Sequence, residues 1–272
     1  MHFKPESNIE NCRILITNDD GIDAYGIKLL EYLLLKITPN VLVVAPKDEK
    51  SGAGHSLTSD KMRSMFGHTS IAEFPNDIFQ YDSYHYAVDG TPCDCVRVAL
   101  NMIMRGNYPD LIISGINNGR NIADDVTYSG TIGAAMEGVL YGIPSIAVSQ
   151  FVKKGEEVNW QIAEKYLTEI IKKVRLGTFS ADTLININFP NIPPEELRGI
   201  EICRQGRRRF VEGTVENSLL CAKFLLHTEK EETCYPDDNE KIDKNITITA
   251  LKINLTDDEG LEELEKVFAQ TI

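Results

Sequence analysis

The feature that most constrains this chain is a regular alternation of short β-branched apolar runs with segments of helical length. Arg13–Thr17, Val41–Ala45 and Leu111–Ser114 are such runs, and each has the composition of a strand buried on both faces of a parallel sheet. Between the first two runs lies Ile27–Ile37, which is a strongly apolar helix candidate. This order predicts a β-α-β unit with a right-handed crossover.

The same alternation continues to about residue 193. Further helices are predicted at Asp94–Met104, Thr131–Tyr141 and Val158–Val174, and further strands at Ser145–Ser149 and Leu184–Phe189. Strands that alternate with helices at this spacing indicate an α/β fold. We therefore expect residues 1–193 to form a three-layer, Rossmann-like α/β core with a mostly parallel sheet.

The alternation ends after Pro193. Gly199–Arg204, Leu219–His227 and Ile246–Ile253 have the composition of strands without helices between them, and Asp258–Phe268 is an acidic helix candidate. We expect residues 194–272 to form a C-terminal extension, with a β arm and a terminal helix, that packs on the core and serves oligomerisation.

Composition restricts the classes of partner. The 272-residue chain has a formal net charge of -13, which disfavours binding to duplex nucleic acid. A small phosphate ester remains possible where a cation or oriented backbone amides neutralise it. The first residues lack the apolar stretch of a secretory signal, and no run is long enough to span a membrane, so we expect a cytoplasmic protein that does not bind membranes.

Two local features stand apart from this average. The pair Cys93 and Cys95 has no second thiol pair to complete a metal site, so we expect both to pack in the core. The basic run Arg207–Arg209 could contact phosphates, and it is equally compatible with a subunit contact or a solvated turn.

Polar loops follow the predicted strands. They are Asn18–Gly21, Ser51–Ser56, Gly115–Gly119 and Tyr128–Thr131, of which the last opens a predicted helix. The carboxyl ends of parallel strands lie along one edge of the sheet, where ligands bind in open α/β folds. These four distant loops are therefore expected to converge on one crevice.

Asp19 and Asp20 carry the sharpest chemical signal. Two adjacent carboxylates at a strand end repel each other unless a positive charge lies beside them. A hard divalent cation such as Mg²⁺ or Mn²⁺ prefers carboxylate, hydroxyl, amide and water oxygens. The alternative is that one aspartate caps the following helix while the other is solvated.

The second and third loops offer uncharged groups. Asn117 can ligate a cation without adding charge, whereas Asn118 is expected to take a turn conformation. Ser51 and Gly52 open a small-residue loop that could expose backbone amides to an anion, although a flexible turn has the same composition. We expect His55 to hold this loop by hydrogen bonds rather than to bind metal.

The fourth loop combines Ser129, Gly130 and Thr131 at a predicted helix start. Free amides, hydroxyl groups and the positive end of the helix dipole make such a start a phosphate site. An ordinary Ser/Thr N-cap would look identical in sequence.

Five motifs in this order carry a family resemblance: ILITNDDGIDAYGI, VVAPKDEKSGAGHSLT, DGTPCDCV, SGINNGRN and DDVTYSGTIGAAMEG. They closely resemble the SurE family of 5′/3′-nucleotidases. The resemblance implies one divalent cation per subunit, Mg²⁺ or Mn²⁺, held by Asp19, Asp20, Ser51 and Asn117. It also implies a homodimer or homotetramer. Tyr25 departs from the family, which usually has proline at this position, and this puts the rigidity of the loop in doubt.

The hypothesis is metal-assisted hydrolysis of nucleoside 5′- and 3′-monophosphates to nucleoside and phosphate. Asp19 and Asp20 are the catalytic candidates, and one of them would orient or deprotonate the attacking water. The substrate-binding candidates are Gly52, Ser129, Gly130 and Thr131. Two alternatives stay open: polyphosphate or short oligonucleotide ends as main substrates, and a metal-dependent nucleotide-binding module without turnover.

Overall fold

The computed structural model describes residues 9–58, 77–153, 155–206 and 242–269. The strands are β1 Ile14–Thr17, β2 Val41–Pro46, β3 Ile78–Gln80, β4 His85–Val88, β5 Leu111–Asn118, β6 Ser145–Gln150, β7 Thr183–Phe189, β8 Gly199–Ile202 and β9 Asn245–Lys252. The helices are α1 Tyr25–Leu35, α2 Pro92–Val98, α3 Asp125–Tyr128, α4 Gly130–Leu140, α5 Gln161–Val174 and α6 Asp258–Phe268.

All nine strands form one sheet, in the order β3-β4-β2-β1-β5-β6-β7-β9-β8. The run from β4 to β7 is parallel, whereas β3 and β9 pair antiparallel with β4 and β7. From β1 the chain adds β2 and then β4 on one side of β1. It then crosses back and adds β5, β6 and β7 on the other side of β1. The crevice between β1 and β5 is therefore the topological switch point, where open α/β sheets bind ligands.

Helices cover both faces of the sheet. On one face α1 and α5 pack their apolar stripes against β1, β5, β6 and β7, where Ile16, Ile113 and Ile187 are fully buried. On the other face α2 and α4 pack on the alternate side chains, among them Leu15 and Ile112. The predicted three-layer α/β architecture is confirmed.

Two glycines allow the close approaches that set the position of β5. A Cβ on Gly26 of α1 would lie 1.9 Å from the carbonyl oxygen of Ile116. A Cβ on Gly115 would lie 2.3 Å from the carbonyl oxygen of Val148 in β6, and Gly115 has a φ of +144°. The carboxyl end of β5 is thus held by backbone contact on two sides.

The predicted boundary of β5 was wrong. The strand was expected to end at Ser114, but it continues to Asn118 because β6 keeps pairing with it after a register shift, with Asn117 beside Ser149. Asn118, expected in a turn, is the last residue of the strand.

The helix predicted at Asp94–Met104 is also different. It begins at Pro92, behind the N-cap Thr91, and changes to a π-helical segment at Ala99–Ile103. The short strands β3 and β4 and the four-residue helix α3 had no counterpart in the sequence prediction, because runs of three or four residues carry little periodicity.

The residues after 193 extend the sheet of the core. β9 pairs antiparallel with β7 over Asn188–Thr183, and β8 adds a parallel edge strand. The terminal helix α6 has no buried residue. The predicted strand Leu219–His227 and the basic run Arg207–Arg209 lie outside the described residues. In the described ranges, no helix has both the length and the apolar character needed to cross a membrane.

Candidate functional site

Asp19 is the buried centre of the site. Its side chain follows β1 and is only 3% exposed. Thr131, at the start of α4, donates its backbone amide to Oδ2 at 3.1 Å and its hydroxyl to Oδ1 at 2.6 Å. Burial raises the pKa of the Asp19 carboxyl above its usual 3.8, although the bonds from Thr131 lower it in part.

Gly130 makes this contact possible. A Cβ at Gly130 would lie 2.9 Å from the Asp19 Cβ and 3.0 Å from its Oδ2, which is closer than real Cβ contacts allow. The start of α4 can therefore reach the carboxylate only because this position has no side chain. The positive end of the helix dipole faces a negative group there.

Asp20 lies beside Asp19 and nearer to solvent. Its Oδ2 accepts the backbone amide of Asn118 at 2.9 Å, which ties the end of β1 to the end of β5. Burial raises the pKa of Asp20 to about 6, and the charges of Asp19 and Glu49 add to the rise, while the Asn118 bond opposes it. The alternative in which an aspartate caps the following helix is wrong, because α1 has Ala24 at its N-cap without a side-chain bond.

The loop after β2 packs directly on this pair. The amide of Lys50 donates to the Asp19 carbonyl oxygen at 2.7 Å. Gly21 has a φ of +97°, and a Cβ built on it would lie 3.4 Å from the backbone carbonyl carbon of Asp48. Ser51 is therefore adjacent to the two aspartates, and its hydroxyl donates to Glu49 Oε1 at 2.7 Å. Gly52, with φ +77°, has open space around it at the tip of the loop.

Asn117 is placed by β5 at the same crevice. Its Nδ2 donates to the Gly119 carbonyl oxygen at 2.8 Å, and this bond fixes the orientation of the amide. Among the described residues, Oδ1 accepts no hydrogen bond. The residue is 9% exposed, so this oxygen is a preoriented neutral acceptor, of the kind that hard cations bind, in a largely enclosed place.

The fourth predicted loop has two structural roles that the sequence left open. Ser129 is the N-cap of α4, and its Oγ accepts the amide of Ile132 at 3.1 Å. The Thr131 hydroxyl is engaged with Asp19. Their part in substrate binding stays a prediction, and the backbone amides of Gly130 and Thr131 are also directed at Asp19.

Two acidic residues near the site were missed. Glu49 raises the pKa of Asp20 and accepts a hydrogen bond from the Ser51 hydroxyl. It lies in the strongly charged KDEK stretch, where no local pattern distinguishes it from its charged neighbours. Glu137 is bonded to His55, 2.8 Å away, and the signal for it was a lone charge in an otherwise uncharged helix. The cysteines Cys93 and Cys95 are buried in the core, as expected.

The residues present fit a hard divalent cation. Two adjacent carboxylates have pKa values above 3.8, and a neutral amide oxygen without a donor lies at the next strand. A cation between them would stabilise both charges. Within the described ranges no group of three or more His, Cys, Asp or Glu side chains is arranged to hold a metal ion, so a cation here would rely on the Ser and Asn oxygens as well.

Fold and site together define a doubly wound α/β protein with a carboxylate pair and a helix start at its switch point. The sequence model of the family "Survival protein SurE" matches residues 14–212. The chain belongs to the SurE family.

Relatives and a solved structure agree with this assignment. A protein of Parvibaculum lavamentivorans, named 5′-nucleotidase SurE, is 48% identical over 205 residues, which are 75% of this chain and 69% of that protein. One of Erythrobacter litoralis, of the same name, is 40% identical over 90% of this chain and 94% of its own length. The crystal structure of the Sure protein from Aquifex aeolicus superposes with a TM-score of 0.76 at 33% identity, covering 94% of this chain and 99% of that one.

Proposed function

We propose that this chain is a 5′-nucleotidase, a divalent-metal-dependent phosphomonoesterase that hydrolyses nucleoside 5′- and 3′-monophosphates to nucleoside and phosphate. The single observation that carries the proposal is the Asp19–Asp20 pair at the switch point, raised in pKa and flanked by a helix start. Relatives at 40–48% identity are named 5′-nucleotidase SurE, which supports the same activity.

The proposed ligands of one Mg²⁺ or Mn²⁺ ion are Asp19, Asp20, Ser51 and Asn117. When bound, the cation supplies a Lewis acid that polarises the phosphate ester and lowers the pKa of water. Two carboxylates balance its charge, and the neutral Ser51 and Asn117 oxygens add no repulsion toward an incoming phosphate.

The two aspartates have different proposed roles. Both oxygens of Asp19 accept bonds from Thr131, so this residue is fixed. Asp20 uses Oδ2 for Asn118 and keeps Oδ1 without a donor among the described residues. We therefore assign to Asp20 the orientation of the attacking water and the acceptance of its proton.

Backbone amides are the proposed phosphate ligands. The loop of Gly52 and the start of α4 at Gly130 lie side by side, because the Gly54 amide donates to the Tyr128 carbonyl oxygen at 2.9 Å. The Gly54 amide is used in this contact and the Gly130 and Thr131 amides are directed at Asp19, so the Ser51 and Gly52 amides are the first candidates to stabilise the charge on a transferring phosphoryl group. A nucleoside monophosphate is a small anion, which an acidic protein can bind at one neutralised site. Duplex nucleic acid is a polyanion and is not expected to bind.

The proposal extends to assembly and location. The exposed apolar residues of α6, among them Leu264 and Phe268, support a homodimer or homotetramer. Four buried free cysteines in the described residues support a reducing cytoplasm.

A phosphate-release screen tests the activity. The protein is stripped with EDTA, then Mg²⁺ or Mn²⁺ is restored and release is measured from nucleoside 5′- and 3′-monophosphates, polyphosphate and short RNA. We expect the fastest release from monophosphates and none without metal. Faster release from polyphosphate or RNA would support the first alternative, and saturable nucleotide binding without release would overturn the enzyme proposal.

A further inference from the structure

Glu137 is a buried carboxylate that the proposed chemistry does not use. It lies in α4 and is 6% exposed, in a helix whose other residues are uncharged. Burying a charged group costs several kcal/mol unless partners compensate. Glu137 lies in the helix that also carries Gly130 and Thr131, so the partners that compensate its charge bear on the site.

Its partners come from two other segments. His55 Nε2, in the loop after β2, lies 2.8 Å from Glu137 Oε2, and Arg97 Nε, at the end of α2, lies 3.6 Å from Oε1. One carboxylate thus joins the loop, α2 and α4. The loop is the one that begins with the proposed ligand Ser51 and the proposed phosphate-binding Gly52.

A second contact beside this one fixes the loop at backbone distance. Gly133 lies one turn before Glu137 on the same face of α4. A Cβ at Gly133 would lie 2.3 Å from the Gly54 carbonyl oxygen and 3.0 Å from the His55 Cα. The loop backbone rests on α4 at Gly133, and the His55 side chain anchors it at Glu137.

The second half of the loop is also bound to α2. The Thr91 hydroxyl donates to the Ser56 carbonyl oxygen at 2.7 Å, and the Thr58 amide donates to Asp94 Oδ2 at 3.1 Å. The first half contrasts with it, because a Cβ built on Gly52 would meet no atom of another residue within 4 Å except its chain neighbours. The amides proposed to bind phosphate are thus at the free end of a loop whose other end is clamped.

We propose that Glu137 is a positioning residue, which acts through His55 to hold the Ser51–Gly54 loop against the start of α4 so that the Ser51 and Gly52 amides face the phosphate of the substrate. The inference rests on the proposed function. Neither side chain touches the phosphate. Loss of the pair leaves Asp19, Asp20 and Asn117 in place and misplaces the loop, with the amides of Ser51 and Gly52.

The test is a double-mutant cycle of His55→Ala and Glu137→Gln, read by binding of inorganic phosphate to the Mn²⁺-loaded protein. We expect His55→Ala to weaken phosphate binding about tenfold, because small misplacements of binding groups are costly. Since Glu137 acts through His55, adding Glu137→Gln to His55→Ala should change phosphate binding less than twofold. His55→Gln keeps a hydrogen-bonding group and should recover part of the loss.

Two further readouts separate positioning from general stability. Mn²⁺ affinity should fall much less than phosphate affinity in His55→Ala, because Asp19, Asp20 and Asn117 do not depend on the pair, and KM for a nucleoside monophosphate should rise while kcat changes less. The matched control is His85→Ala, which removes a histidine bonded to Glu31 at the start of β4 and should lower Tm without affecting phosphate binding. His55→Ala binding phosphate like the unmodified protein, or losses in the double variant that multiply, would overturn the inference.

The phosphate readout keeps this inference distinct from the proposed function. If the protein binds Mn²⁺ and phosphate but releases no phosphate from any nucleotide, the proposed activity fails while the cycle still decides the role of Glu137. If the protein hydrolyses monophosphates and the cycle shows no coupling, the activity stands and the positioning role fails.

Discussion

The molecule contains two carboxylate pairs that differ in their hydrogen-bonding partners. Asp19 and Asp20 lie where β1 ends, and the backbone amides of Thr131 in α4 and Asn118 in β5 donate to them. Asp82 and Glu31 lie where β4 begins, with His85 between them, its Nδ1 2.9 Å from Asp82 and its Nε2 2.7 Å from Glu31. One pair has a side-chain cation of its own, and the other has backbone amides.

The pKa shifts of the two regions differ in sign. At the first pair burial raises the pKa of both aspartates, to about 6 for Asp20. At the second pair, bonds from Tyr84 and His85 lower the pKa of Asp82. Partial burial lowers the pKa of His85, but its bonds to Asp82 and Glu31 outweigh burial and raise it above 6.5. The protein pairs the structural acids with a histidine of its own and the site acids with backbone amides, which is the arrangement that the proposed cation site requires.

The largest expected effect is that of Asp19→Asn. Turnover of nucleoside monophosphate should fall about 10³-fold, because the charge stabilisation contributed by a catalytic metal is worth several kcal/mol. Phosphate release with saturating Mn²⁺ is the measurement. Asp110→Asn, at the start of β5 and bonded to the Arg13 amide, is the control and should keep full activity. Equal activity of both variants would refute the role of the site pair.

The next effect is that of Gly130→Ala. The new Cβ would lie 2.9 Å from the Asp19 Cβ, so either α4 or the aspartate must shift, at a cost of about 1–3 kcal/mol in the free energy of unfolding. Mn²⁺ affinity, measured by calorimetry, should fall about tenfold. Gly106→Ala introduces a side chain at φ +77° in open space, and should reduce stability without changing Mn²⁺ affinity.

Asp20→Asn tests whether the pKa of the Asp20 carboxyl is raised, as the comparison of the two carboxylate pairs requires. A carboxyl with a raised pKa destabilises the metal-free fold as pH rises from its usual 3.8 through about 6. The variant should therefore raise the metal-free Tm at pH 7.5 by about 2–4 °C. Mn²⁺ should raise the Tm of the unmodified protein by mass action and leave the variant unchanged. A lower metal-free Tm in the variant would contradict the comparison.

The smallest effect is that of His85→Gln at the second pair. The raised pKa of His85 contributes stability that is complete below pH 6.5 and is lost as pH rises through the folded value. The loss on substitution should stay below about 1 kcal/mol, since the pair is partly solvated. Denaturant unfolding at pH 5.5 and pH 8.5 measures it, and the two proteins should converge at the higher pH.

The parallel core could be predicted because its strands and helices each carry their own periodicity. The convergence of the aspartates with Thr131 followed from the rule that parallel strands end at one edge. The partners of these side chains could not be predicted in the same way. Thr131 was expected to contact phosphate, yet its hydroxyl is bonded to Asp19, which is 112 residues away, and no local pattern encodes such a contact.

Asn118 shows the other reason for the differences. An Asn-Gly pair favours a turn when it is considered alone. In the sheet, the pairing of β6 beside it extends β5 through this residue, and the Asn118 amide becomes a donor to Asp20. The pairing of β5 with β6 thus overrides the local turn preference. The same pairing places the Asn118 amide where it donates to Asp20.

The separation of Asp19 and Thr131 in the chain has a consequence for how the protein acquires its ion. A chain emerging from the ribosome exposes both aspartates long before β5 and α4 have been synthesised. The complete oxygen set exists only once those elements have folded against β1. Under the proposed ligand set, the ion would bind late in biogenesis, because the two aspartates meet Asn117 only after β5 has folded against β1.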